Sequence, residues 1–280
     1  MNEDRSSQPA VRRERDSLGE LDVPADALYG IHTCRSMGNF SSSGRPLSAE
    51  LVRAMVALKH ACAVANEDLG LLPGDVAEAI RAACRRVLDG EAADAFPVDR
   101  FQAGSGTSSN MNVNEVLAGL ARLELGAGLS DRDRVHPNDH VNRGQSTNNI
   151  FPSAIRVAAV CAAPDLLEAA EELAAELSAR GRDFAAVRKS GRTHLQDAVP
   201  VTLGQEFEAW ASAIRHAAAR LDGDVDRCRA LGVGGNAVGT GLNTPASFRA
   251  RVTVALSDQL GEAFHPAGNG VEASQCLTDL

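Results

Sequence analysis

Three polar stretches interrupt this 280-residue chain, and their side chains are of the kind that hold a small anion. The most concentrated runs Ser190-Gly191-Arg192-Thr193-His194-Leu195-Gln196-Asp197-Ala198-Val199-Pro200. It surrounds one histidine with hydroxyl, amide and carboxylate groups, and a helical pattern opens beyond it at Leu203. Pro200 cannot lie inside a helix, and Thr202 is suited to cap the one that follows. The stretch is expected to be a loop leading into a helix, with no buried strand in it. The other two are Gly104-Ser105-Gly106-Thr107-Ser108-Ser109-Asn110-Met111-Asn112, and His136-Pro137-Asn138-Asp139-His140-Val141-Asn142 followed by Gln145-Ser146-Thr147-Asn148-Asn149. Each leads into a helix. Backbone N–H groups at a helix start, joined by short neutral donors, suit a carboxylate. Any one stretch alone reads more readily as a loop with a cap. Three of the same composition point to one shared site.

Other chemistries fit less well. His136 and His140 have a helical metal-ligand spacing, but Pro137 lies between them and no HExxH pattern accompanies them, so no metal is expected. Gly232-Val233-Gly234-Gly235-Asn236-Ala237 matches a loose dinucleotide fingerprint, yet the polar end of a helix precedes it instead of a strand. Gly232 to Asn243 is read as a helix stop and a glycine-rich turn. The six cysteines, at 34, 62, 84, 161, 228 and 276, form no CxxC pair and are expected to be reduced and mostly buried.

The elements that must carry these stretches are helices. A stripe at Leu51, Met55, Leu58, Cys62 and Ala65 follows a cap at Ser48. Val76, Ile80, Cys84 and Val87 mark a second helix, and Val113 to Leu125 a third. A fourth opens near Ser153, is broken or kinked at Pro164, and resumes from Leu166 to Gly181. The longest is expected over Leu203 to Leu231, with apolar positions every three or four residues from Leu203 through Phe207, Trp210, Ile214 and Leu221. The fold class is mainly α: an N-terminal helical domain over residues 1–141, with 1–17 mobile, and a long-helix bundle over 142–280. Hydrophobic content of 44% and a formal charge of −9 describe a globular chain with no basic footprint for nucleic acid. No apolar run is read as long enough to cross a membrane, and Met1 to Glu20 lacks the core of a signal peptide. A cytoplasmic location is expected.

Read together, the three polar stretches, with Ala237-Val238-Gly239-Thr240-Gly241-Leu242-Asn243, resemble the aspartase/fumarase superfamily. The likeness runs in order from about Arg13 to Leu280. It implies a homotetramer with sites built from several subunits, a C4 dicarboxylate substrate, reversible anti-elimination yielding fumarate, and no cofactor. By resemblance His194 and Thr193 are catalytic. Thr107, Ser146, Thr147, Asn148, Thr193 and His194 bind the substrate, and His136, Asn138 and Asp139 form a secondary anion site. Asp26-Ala27-Leu28-Tyr29-Gly30-Ile31-His32-Thr33, Gln145-Ser146-Thr147-Asn148 and Glu272-Ala273-Ser274-Gln275 look like aspartate ammonia-lyase, whereas Ser105-Gly106-Thr107 and Gly234-Gly235 look like class II fumarase. The expectation drawn is release of ammonia from L-aspartate, with fumarase as the alternative. Asn149 stands where the family usually has aspartate, and Asn236 where threonine is common. The family's third signature, a Gly-Ser-Ser loop with a Met-Pro-x-Lys-x-Asn segment that supplies the serine base and a lysine, is not found in this sequence. The bundle is therefore expected to be incomplete, and this chain alone to be inactive, a fragment or a non-catalytic subunit.

Overall fold

Ala, Leu and Val at steps of three and four make nearly all of the regular structure helical. In the computed structural model, which describes residues 10–275 and 277, the chain opens on an antiparallel hairpin of β1 (Val11–Asp16) and β2 (Gly19–Pro24). Helices α1 (Ile31–Asn39), α2 (Ala49–Asp68), α3 (Gly74–Leu88), α4 (Thr107–Glu124) and α5 (Thr147–Asp183) follow. A second hairpin, β3 (Arg188–Thr193) with β4 (Gln196–Thr202), leads into α6 (Leu203–Arg227). The short strand β5 (Ala230–Leu231), α7 (Phe248–Leu260), β6 (His265–Pro266) parallel to β5, and α8 (Gly270–Gln275) end the order.

Two compact units result. The first joins the described residues up to Ala158 with Ala230–Leu277, and the second is Ala159–Arg229. The division therefore falls within α5 and after α6, not at residue 142, and the segment from Ala230 returns to the first unit.

The first unit is organised on α2. Its Met55, Leu58, Ala61, Cys62 and Ala65 are wholly buried, against Val76 and Ile80 of α3 and Val252 and Leu256 of α7. Each large side chain buried this way contributes about 1.5–3 kcal/mol. The Ser48 hydroxyl accepts the Leu51 N–H, the cap expected from the sequence. In the second unit Thr202 and Gln205 form a reciprocal capping box at the start of α6. Phe184, Phe207 and Trp210 cluster beside it, with ring centroids 5.5 and 5.1 Å apart. The apolar stripes of this unit are thinly covered: Leu166, Leu173 and Trp210 are each about half exposed.

Several expectations are corrected. Of the start expected to be mobile, Val11–Asp16 form β1, where Arg13 pairs with Asp22 across the hairpin, and residues 1–9 lie outside the described residues. Helix α5, at 37 residues, exceeds α6, at 25, and runs unbroken through Pro164. A proline here removes one hydrogen bond, at a cost of about 3 kcal/mol. Burial of Ile150, Ala154, Val157 and Val160 on one side and Ala174 on the other offsets it. The same helix holds an 18-residue window of mean hydropathy 1.5, long and apolar enough to cross a membrane by composition, though 39% of that window is buried in the protein. Cys62, Cys84 and Cys228 are buried, Cys34 is half-buried and Cys161 exposed, while Cys276 lies outside the described residues.

Candidate functional site

All three polar stretches are more regular than their composition suggests. Helix α4 starts at Thr107 itself, so Ser108, Ser109 and Asn110 form its buried first turn. Gly106 precedes it in the left-handed region at φ +74°, and a Cβ there would lie 2.5 Å from the Phe151 ring. Gly106→Ala is therefore expected to cost about 3 kcal/mol, from overpacking and an unfavourable φ together. Chemical denaturation measures it, and an unchanged midpoint would mean that Phe151 yields freely. The Ser105 and Thr107 hydroxyls lie 3.0 Å apart.

The second stretch folds as a single π-helical turn, Pro137–Val141. The His136 ring caps it, Nδ1 accepting the N–H groups of Asn138 (3.3 Å) and Asp139 (3.2 Å), while His140 Nδ1 accepts the His136 N–H at 2.8 Å. Burial moves both imidazoles below their ordinary pKa, which suits rings that accept these bonds. Asn138 and Asp139 themselves are exposed. Helix α5 then begins at Thr147, six residues before the start expected at Ser153. Its first turn is tied to the glycine-rich turn after β5: Asn148 Nδ2 donates to the Ala237 carbonyl at 2.8 Å, and Asn149 Nδ2 to that of Asn236 at 2.6 Å. The departure at Asn149 thus has a structural role, since an aspartate could not donate.

Within the first unit, a cavity of about 240 Å³ is lined by Gly104, Ser105, Asn148, Phe151, Pro152 and Gln275 among others. The first stretch, the second stretch and α8 therefore meet at one opening. Asn110 Nδ2 donates to Thr147 Oγ1 at 3.0 Å and links α4 to α5 behind it. Asn148 lines this opening, while Thr107, whose hydroxyl lies against that of Ser105, and Thr147 are the first residues of α4 and α5 and are not among its lining residues. His136, Asn138 and Asp139 make their own turn.

Thr193 and His194 belong to the second unit. Their stretch is the β3–β4 hairpin and not a loop, with Thr193 paired to Gln196 across a two-residue turn of His194 and Leu195. Both turn residues have positive φ, 51° and 62°, the type I′ geometry that matches strand twist. His194 is exposed.

Two residues missed in the sequence support the first-unit site. Lys59 of α2 is wholly buried and donates to Asn142 Oδ1 and Gln145 Oε1, both at 2.8 Å. Burial brings its pKa down to about 7. The signal was a lone cation in the apolar run from Ala54 to Ala65. Glu115 of α4 is also buried, and its carboxylate accepts the N–H groups of Gly30, His32 and Thr33. Among the described residues no group of His, Cys, Asp or Glu could hold a metal ion.

A family model described as "Lyase" matches residues 19–278. Fumarate hydratase class II of Halobacterium salinarum is 48% identical over 263 residues, 94% of this chain and 56% of that protein. Its namesake from Mycobacterium tuberculosis is 47% identical over 271 residues, 96% of this chain and 56% of that protein. The solved structure of a fumarate lyase:delta crystallin from Brucella melitensis, bound to cobalt, is 45% identical with a TM-score of 0.91, covering 96% of this chain and 59% of that one. A recombinant class II fumarase from Schistosoma mansoni is 36% identical with a TM-score of 0.88, covering 94% and 59%. The chain spans a little over half the length of these relatives. They overturn the expected preference for L-aspartate: the residues around Tyr29 and Gln145 that looked like aspartate ammonia-lyase occur in a chain nearly half identical to fumarate hydratases.

Proposed function

Since this chain belongs to the lyase family, within the aspartase/fumarase superfamily, we propose that the complete protein is a class II fumarase. It adds water reversibly across the double bond of fumarate to give L-malate. In the malate direction a proton leaves the carbon beside one carboxylate, and hydroxide leaves the neighbouring carbon. Charge builds on that carboxylate as the proton departs. A well-placed donor aimed at it is worth about 3–4 kcal/mol. By the family resemblance, Thr107, Ser146, Thr147 and Asn148 are assigned to the carboxylates, and Thr193 and His194 to substrate binding. His136, Asn138 and Asp139 are assigned to a secondary anion site. The reaction as written calls for no cofactor, and no residue of this chain is assigned as the base.

The observation that carries this reading is close similarity to fumarate hydratases over 94% of the chain, beside a cavity lined by the neutral side chains of Ser105, Asn148, Ser274 and Gln275. The half-exposed Leu166, Leu173 and Trp210 are the apolar surface on which copies of the complete protein assemble as a homotetramer, in the cytoplasm. The test is a rate comparison on the purified complete protein, following fumarate by ultraviolet absorbance. L-Malate is expected to react at least about 100-fold faster than L-aspartate, a difference of roughly 2.7 kcal/mol in barrier. Equal rates, or aspartate faster, would reject the assignment.

A further inference from the structure

The direction of three linked hydrogen bonds can be read outward from Lys59. An ammonium group only donates, so Asn142 and Gln145 must both turn their carbonyl oxygens toward it, at 2.8 Å each. Their amide nitrogens then point away. Asn142 Nδ2 reaches the Gln145 carbonyl at 3.4 Å, and Gln145 Nε2 reaches those of Val141 at 2.9 Å and Arg143 at 3.2 Å. One buried cation thus orders the turn between the π-helical turn and the start of α5.

The consequence extends across α4. With Asn142 Oδ1 fixed as an acceptor, the group facing it must be a donor. Asn110 Nδ2 lies 3.4 Å away and sends its second proton to Thr147 Oγ1 at 3.0 Å. Reversing the Asn110 amide would set two carbonyl oxygens against each other. The Thr147 oxygen is therefore occupied as an acceptor, and its single proton is left to donate elsewhere. A carboxylate, which only accepts, is matched by that orientation and by no other. The titratable groups beside Lys59 are Cys62 and Cys84, whose thiols burial pushes up, so both stay neutral. A neutral amine retains two protons for the same two carbonyls.

We propose that Lys59 is a positioning residue that sets the polarity of the relay Lys59–Asn142–Asn110–Thr147, and so keeps the Thr147 hydroxyl a donor to a carboxylate of the C4 dicarboxylate. The proposal rests on the fumarase reading. It distinguishes Thr147, whose donor sense is enforced from behind, from Asn148, whose amide gives one of its two protons to the Ala237 carbonyl and keeps the other.

A double-mutant cycle on the complete protein tests it, with KM and kcat for L-malate read separately. Lys59→Met and Thr147→Val are each expected to raise KM about tenfold while kcat changes less than about threefold. The double variant should remain near the single ones, because Lys59 acts through Thr147. Asn110→Asp keeps the shape but turns the donor into an acceptor, and should raise KM similarly. It replaces Lys59→Met in the cycle if that variant does not fold. Loss of kcat at unchanged KM would indicate a merely structural lysine and overturn the proposal, as would an additive hundredfold rise in the double variant. Malate turnover in the unmutated protein with an additive cycle sinks Lys59 alone. No malate turnover in the unmutated protein sinks the fumarase reading and this proposal with it.

Discussion

Replacing Glu115 by alanine is expected to lower the stability of the first unit by about 4 kcal/mol, seen as a fall of about 10 °C in the thermal midpoint. The N-terminus of α1 has no cap of its own, for Gly30 has no side chain to offer. Glu115 reaches in from α4 to take its place. The carboxylate is 4% exposed and accepts from the N–H groups of Gly30 (2.9 Å), His32 (3.0 Å) and Thr33 (3.0 Å), and from the Thr33 hydroxyl (2.7 Å). Glu14 Oε2 takes the Ile31 N–H at 3.0 Å. Two carboxylates therefore sit against a helix start, where the macrodipole favours negative charge. Alanine at 115 would orphan four donors, each costing about 1–3 kcal/mol less whatever water entering the space returns. Glu115→Gln keeps the volume but turns an amide N–H toward other N–H groups, and should recover only part of the loss. Gly30 is bound to the same arrangement, since a Cβ there would lie 2.8 Å from an oxygen of each carboxylate. A midpoint unchanged in Glu115→Ala would show that α1 does not depend on this cap. Through α1 the effect reaches the site, because Ser36 donates to Ser108 in the first turn of α4 at 3.0 Å.

His194→Ala is expected to cut malate turnover by the complete protein about 100-fold while leaving the unfolding free energy within about 1 kcal/mol of the original. The imidazole stands exposed at the tip of a hairpin and carries no core packing. Its backbone is less comfortable. Positive φ at a non-glycine residue costs roughly 1 kcal/mol or more, and the turn holds two such residues side by side. Glycine or asparagine would fit both positions better. His194→Gly separates the two effects: stability should rise slightly and turnover fall as far as with alanine. Unchanged kinetics in both variants would return His194 to the role of an ordinary turn residue.

The sequence made some of this legible and hid the rest for physical reasons. The stripe from Leu203 to Leu221 and the cap at Thr202 marked α6 because a 3.6-residue period shows wherever one face is apolar. The hairpin before it was missed. Its strands are exposed on both faces from Thr193 to Pro200, so no alternation of apolar and polar residues existed to be read. Its turn also uses His and Leu where Asn-Gly would have announced it. Pro200 was read as a breaker, yet it sits at ease in a two-stranded ribbon, where one side of each strand needs no partner. The helix starts at Thr107 and Thr147 came earlier than expected because their first turns bury Ser108, Asn110 and Asn149 against polar partners. Apolar period cannot report such turns. Composition and order placed the three polar stretches at the approaches to α4, α5 and α6. The choice between two substrates did not follow from them, for both chemistries need the same donors.

Helix α2 is covered by α7, and Asp68 at its end meets Arg251 at 3.3 Å. Helix α7 begins about 180 residues after α2 ends. On a ribosome adding roughly 5–20 residues per second, α2 emerges some 10–40 s before its partner does. For that interval the face that α7 will cover, on the same helix as Met55, Leu58 and Cys62, has no native neighbour there. A nascent chain in this condition is a client for holding factors, and slower decoding of the intervening Ala159–Arg229 unit would lengthen the exposure. Synonymous changes in that stretch, which alter no residue of the product, should therefore change the yield of soluble protein.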